Sequence, residues 1–383
     1  MKAEKYVVKN TAGMFDFIKG IAMFIVIFVH TYALFPKSAG IVEIRGSRII
    51  FAASVGITVR IFRAIYSVIA HAMMPALFAI SGYGFRKTTL KKNAEKQFKG
   101  IMIPYIVTMF LTALLHLCTH FTLYRYLKGS LIETLRIFGG SFLGLPKTSY
   151  YWGVKIFSNG PNWFLLALFV GMLVFNFLLN KFEGKILLVA VIAVSTVGWL
   201  LSLLPFTVPW CIPQGLASVF YIYLGYYAKK SKLFIEGIDT RKKILYAIFI
   251  VIPSVTIRVL GYMDGMADGV YPFGILTILL NGMFCLSIIY LFLQVNRTNR
   301  IVTSSIRTLG RYSIYILCIH TMEMMGFPLY YFVEKWKGNV VAGEALFTVV
   351  RFTVVALTCF LFIKIKNAVV SWMEKKKEKT ENV

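Results

Sequence analysis

Carboxylates are scarce in this chain. Sixteen Asp and Glu stand against forty-two Lys and Arg, a formal net charge of +26. In a soluble protein that imbalance would suggest nucleic acid as a partner. Here the basic residues sit in short connectors between apolar runs, so they are read as orientation signals and no nucleic-acid partner is expected. Cysteine is also sparse. Cys118, Cys211, Cys285, Cys318 and Cys359 lie in or beside apolar runs, and no two form a Cys-x-x-Cys pair. Neither a cysteine zinc site nor a disulfide framework is therefore implied. No Walker loop, Gly-x-Ser-x-Gly elbow, His-Glu-x-x-His or His-x-x-x-x-Asp occurs. The chemistries of P-loop enzymes, α/β-hydrolases, zinc proteases and soluble acyltransferases are therefore set aside. Internal repeats and low-complexity segments are absent as well.

Apolar residues are abundant. They make up 58% of the 383 residues, with a mean hydropathy of +0.72. They come in continuous runs of about twenty, the length that crosses a hydrocarbon core of ~30 Å as a helix. Closed barrels would instead show short alternating segments. The fold expected is all-α: a polytopic membrane bundle of about ten helices. The spans fall near residues 15–35, 66–86, 101–123, 162–180, 185–204, 214–228, 244–260, 273–294, 312–331 and 345–366. Residues 1–14 then form a cytoplasmic segment, 15–366 the membrane domain and 367–383 a basic cytoplasmic tail. The first apolar stretch is expected to remain uncleaved. It is long, carries Asp16, Lys19 and His30, and lacks a small-x-small cleavage site.

Counted on alternate sides of these spans, the connectors carry 27 basic residues on one side and 12 on the other. Positive connectors mark the cytoplasm, so both termini are placed inside. Two connectors on the outer side are long. Residues 36–65, with Arg45, Arg48, Arg60 and Arg63, are expected to contain an amphipathic surface helix. Residues 124–161 are rich in glycine and aromatics, which favours order. Lys375, Lys376 and Lys377 read as a solvated anchor against anionic lipid.

The first span carries the most chemical information. Lys19 and His30 are eleven residues apart, three turns plus about 20°, so they share one helix face with Cα atoms ~16 Å apart along the axis. Ionisable groups inside a membrane are costly and mark function by default. The competing accounts are snorkelling for Lys19 and a satisfied interfacial polar group for His30. Asp16, three residues before Lys19, suits a local ion pair or a helix cap. In the second span, Ser81-Gly82 permits close approach of another helix or a ligand. Arg86 and Lys87 follow at the cytoplasmic edge and, with Lys19, would make a basic mouth for phosphates. His320 lies one turn from Glu323, a second polar pair able to tune an acid or base or simply to satisfy the bundle interior. His116 and His120 have metal-compatible spacing, but no carboxylate or cysteine must join them, so no metal is expected. Arg258 and Arg351 sit near membrane edges, where snorkelling suffices.

These segments together resemble acyltransferase family 3, the integral-membrane O-acyltransferases, and within it the fucose-4-O-acetylase-like branch. The family places a cation, ten residues and a histidine on its first helix. Asp16, Lys19, Gly20 and His30 match the branch's lysine version. Pro75 to Tyr83 match a Pro…Ser-Gly-aromatic second helix. Gly100 to Tyr105, Asn162 to Leu165, Tyr223 to Tyr226, and Leu309 to Tyr315 with His320 follow in the family's order. Two positions depart. Met73 stands where the branch often has histidine, with His71 the nearest, and Ala79 where phenylalanine is usual. No hydrolase-like segment is found after the bundle within these 383 residues.

The resemblance implies acetyl-CoA, or another acyl-CoA, as a cytoplasmic co-substrate, with no bound cofactor. Donor binding then falls to Lys19, Ser81, Arg86 and Lys87, and catalysis to His30 with Lys19 and Asp16. His30 would act as general base on a sugar hydroxyl or briefly carry the acyl group. Asn162, Trp163, Tyr151 and Trp152 are the acceptor-side candidates, since aromatic faces stack on sugar rings. An interfacial aromatic belt explains them as well. The expected acceptor is an extracytoplasmic or lipid-linked glycan, and the expected location is the cytoplasmic membrane of a bacterium. Oligomeric state is left open. A polysaccharide or lipid-linked sugar exporter is the rival class. It would fit a bundle with an ionisable path, although the paired halves of many transporters are missing.

Single cysteines introduced into 36–65 and 124–161 are expected to react with an impermeant thiol reagent in intact cells, and cysteines in 367–383 are not. Labelling of the tail from outside would overturn the orientation.

Overall fold

The computed structural model describes residues 13–32, 34, 41–44, 47–50, 57–234, 240–260, 265–298 and 300–381. Helices dominate. In chain order they are α1 (Asp16–Tyr32), α2 (Ile57–Tyr83), α3 (Leu90–Gln97), α4 (Ile103–Tyr124), α5 (Leu127–Phe142), α6 (Trp163–Lys181), α7 (Gly184–Ser202), α8 (Ile212–Lys230), α9 (Thr240–Leu260), α10 (Ile275–Thr298), α11 (Arg300–Arg311), α12 (Ser313–Gly326), α13 (Leu329–Glu334) and α14 (Val340–Glu381). Two small antiparallel hairpins join them: β1 (Ile41–Ile44) with β2 (Ser47–Ile50), and β3 (Ser149–Tyr151) with β4 (Val154–Ile156).

A helix occupies each of the ten predicted segments. Among the described residues, five stretches are long and apolar enough to cross a bilayer: Leu90–Tyr124, Gly160–Lys181, Gly184–Ser202, Ile275–Val295 and Val341–Glu374. Val68–Tyr83 and Lys243–Pro253 are shorter apolar helices. The chain is thus an all-α membrane protein.

Several local expectations need correction. In 36–65, where a surface helix was expected, residues 41–44 and 47–50 are paired antiparallel strands, with Ile41 opposite Ile50 and Val42 opposite Ile49. β-Branched residues suit a pleated pair better than a helix. Arg48 falls on β2, Arg60 and Arg63 on α2, and Arg45 outside the described residues. The connector 124–161 contains α5 and the second hairpin. The predicted span 312–331 stops at Gly326, because Phe327 is extended ahead of Pro328, as a residue preceding proline prefers. The connector 295–311 is largely helical, as the end of α10 and α11. Between α3 and α4 the chain makes a π-turn, Phe98–Met102. Pro104 follows at once, and its missing N–H and bulky ring fall where the wider turn leaves room.

α8 is the hub, packed by α2, α6, α7 and α10. Its contact with α2 depends on two glycines. A Cβ on Gly225 would overlap the Ala79 carbonyl, and one on Gly82 would overlap the Ile222 carbonyl. The Ser81-Gly82 step is therefore helix packing. Tyr221, Phe78, Phe175 and Phe284 fill the centre as the largest fully buried side chains.

Gly225→Ala is expected to force α2 and α8 apart, costing about 1–3 kcal/mol as overpacking does. Gly100→Ala, where a Cβ meets nothing within 4 Å, is the control. Thermal denaturation in detergent should show a lower midpoint for the first variant only.

Candidate functional site

α1 is tied down near both ends. At its start Asp16 is buried, with Oδ1 2.7 Å from Lys19 Nζ and Oδ2 3.8 Å from Arg311 Nε. The local ion pair expected from the spacing is present. Arg311 reaches it because α11 crosses α1 at closest range. A Cβ on Gly310 would strike the Asp16 carbonyl, and one on Gly20 the Ile306 carbonyl. Phe15 meets Tyr83 edge-on at 4.9 Å, which brings the end of α2 to the same end of the bundle. Arg86 and Lys87 are exposed just beyond it. Ser81 spends its hydroxyl proton on the Leu77 carbonyl at 2.9 Å.

The other end of α1 enters a buried polar cluster. His30 is partly exposed, and its ring centroid lies 5.4 Å from that of His320, which is 1% exposed. His320 Nδ1 lies 3.2 Å from Glu323 Oε2. Glu323 is gripped by the fork of Arg351, with Nε 2.7 Å from Oε1 and Nη2 2.8 Å from Oε2. The remaining nitrogen, Nη1, donates to Thr31 Oγ1 at 3.0 Å, and Thr31 donates in turn to the Ile27 carbonyl at 2.9 Å. One guanidinium thus joins α14, α12 and the turn of α1 that carries His30. Two parallel charge-assisted bonds fix orientation as well as charge.

Arg351 corrects an expectation. It does not snorkel at an edge; it is 3% exposed and fully engaged. Neither it nor Thr31 was singled out from sequence as part of the site. The available signal was a lone arginine within the last apolar run, which is expensive unless paired.

Asn162 also belongs to this region. It is 1% exposed at the start of α6, with Oδ1 3.2 Å from Thr321 Oγ1, the neighbour of His320. Trp163 is buried, its ring 6.2 Å from Phe164 in an edge-on contact. Tyr151 and Trp152 sit apart on the second hairpin. Trp152 is 100% exposed, whereas Tyr151 donates its hydroxyl to the Thr207 carbonyl at 2.5 Å. Burial pushes the Tyr151 phenol above its ordinary range, which keeps it a donor. His116 and His120 meet hydroxyls: Nδ1 to Thr134 Oγ1 at 2.8 Å and Nδ1 to Ser130 Oγ at 3.0 Å. Among the described residues, no three His, Cys, Asp or Glu side chains gather as a metal site.

The sequence profile described as "Acyltransferase domain" matches residues 14–364. The chain belongs to acyltransferase family 3. No curated protein and no solved structure matches it significantly. As a family 3 member it is a membrane acyltransferase, and the matched region contains both ends of α1 and the whole His–Glu–Arg cluster. The family relationship therefore covers every residue of the two sites just described.

Glu323→Ala and Arg351→Ala are each expected to cost about 3–5 kcal/mol, because each leaves the other charge buried alone. The Glu323→Ala/Arg351→Ala double variant should cost less than the sum of the two. A double-mutant cycle read by denaturation in detergent checks this. Additivity would show that the pair does not couple.

Proposed function

We propose that this chain is an O-acyltransferase of the fucose-4-O-acetylase-like branch. It moves an acetyl group from cytoplasmic acetyl-CoA to a hydroxyl of an extracytoplasmic or lipid-linked glycan. The supporting observation is the arrangement along α1. A cation paired to a buried carboxylate stands near one end, and an imidazole 5.4 Å from a second imidazole stands near the other. In this reading the chain crosses a bacterial cytoplasmic membrane ten times, with both termini inside.

CoA is a polyanion. Its phosphates meet Lys19, Arg86 and Lys87 at the basic end, while the acyl-bearing arm runs along α1 towards His30. His30 takes the proton of the acceptor hydroxyl as that oxygen attacks the thioester carbonyl. The new C–O bond forms, the C–S bond breaks, and the proton passes to the leaving thiolate to give free CoA. A two-step route through acyl-His30 balances in the same way. Trp152, with its ring fully exposed, is the best placed of the aromatic candidates to stack on a sugar.

His30→Gln keeps size and polarity but loses basicity. The glycan is expected to reach the cell surface without its ester, and purified protein in lipid discs should release no CoA thiol. A trapped polymer with unchanged acetyl content per sugar would favour export instead. Lys19→Ala is expected mainly to raise KM for acetyl-CoA, and Lys19→Arg to retain most activity, as initial rates at varied donor concentration will report.

A further inference from the structure

His320 Nε2 is buried and has no hydrogen-bond partner among the described residues. Orphaned buried nitrogens are costly and uncommon, so this one calls for a physical reason. Its ring is not free to turn away. Nδ1 faces Glu323, and Glu323 is held by both arms of the Arg351 fork. A carboxylate is an acceptor only, so Nδ1 carries the proton and Nε2 keeps a bare lone pair. The His30 ring centre lies 5.4 Å from that of His320. Two imidazoles sharing a straight N–H···N bond of ~3 Å have ring centres ~5.3 Å apart. The spacing already suits such a bond, so a reorientation of the tilted His30 ring satisfies the orphan.

We propose that His320 is a positioning residue for His30. Its Nε2 accepts the N–H of His30, and Arg351 governs this through Glu323. The consequence is a fixed tautomer. With one His30 nitrogen donating to His320, the other presents its lone pair to the acceptor hydroxyl. When His30 takes that proton, the imidazolium is shared along His320 towards the Glu323 carboxylate, and the positive charge is never isolated. The logic is that of a base held by an orienting group, with a second imidazole between base and carboxylate. Arg351 also donates to Thr31, the next residue along α1. The same guanidinium thus fixes the distance across which the two rings meet. The proposal rests on the transferase reading above, in which His30 touches the substrate.

The test uses full-length protein in lipid discs, labelled with ¹⁵N-histidine, with and without CoA. Signals are assigned by loss in His30→Gln and His320→Gln. Expected are a neutral His320 protonated at Nδ1 and a single His30 tautomer. Glu323→Gln is close in size to the native residue and, with Arg351→Lys, guards against a variant that fails to assemble. Both should give mixed tautomers at both histidines. In acetyl transfer to a glycan, Glu323→Gln and His320→Gln should lower kcat roughly 10²-fold, the scale of acid–base assistance, with KM for acetyl-CoA little changed. His320 protonated at Nε2 in the native protein, or tautomers indifferent to Glu323→Gln, would overturn the proposal. So would a native kcat in His320→Gln, and that result would leave the transferase reading standing. If the native protein releases no CoA with any glycan, the transferase reading fails, and the tautomers alone decide the relay.

Discussion

Glu323 and Arg351 are two charges that the surrounding apolar helices would exclude if either stood alone. Removing an ion from water costs several kcal/mol even after relaxation, and mutual attraction offsets that only when the geometry is good and the remaining donors are used. The arrangement meets both conditions. The fork is bidentate, the third guanidinium nitrogen reaches Thr31, and the carboxylate also faces His320. Because these bonds start from three helices, satisfying one pair of charges fixes the relative height of α1, α12 and α14. The position of His30 follows from that requirement more than from any contact of its own.

α1 needs a second restraint, since a helix held at one end can still tilt. Asp16 supplies it, buried between Lys19 and Arg311 where α11 and α1 touch backbone to backbone. A carboxylate in the first turn of a helix is favoured by the helix dipole, and a neighbouring lysine adds to that. The two anchors lie fifteen residues apart, from Asp16 to Thr31, or ~22 Å of helix. An α1 pinned at both ends holds Lys19 and His30 at fixed places in the bundle, as the proposed donor path from one to the other needs.

Local relationships were legible in the sequence, and distant ones were not. The Asp16–Lys19 and His320–Glu323 pairs follow from spacing of three on a helix, and both exist. The ten helical segments follow from apolar runs. Arg351 was misread because its partners lie 28 and 320 residues away, and no periodicity connects them. Asn162 was an acceptor-side candidate from sequence, and its bond to Thr321, 159 residues away, could not be read there. The pairing of 41–44 with 47–50 runs against the helix that the arginines among apolar residues suggest. Its β-branched residues were the better guide.

The cluster also bears on the choice between transfer and export. A transporter that alternates its access must let one part of the bundle rock against another, so contacts between those parts have to break and reform in each cycle. A buried, bidentate ion pair is poorly suited to that. Opening it would strand two charges, at a cost comparable to much of a protein's stability. A transferase has the opposite need. Its base must stay aimed while donor and acceptor arrive from different sides, and rigidity there lowers the barrier by removing reorganisation from the chemical step. The Arg351 fork binds the last long helix to the first through the residue beside His30. A joint of that kind favours a stationary catalytic centre reached by mobile substrates over a moving gate.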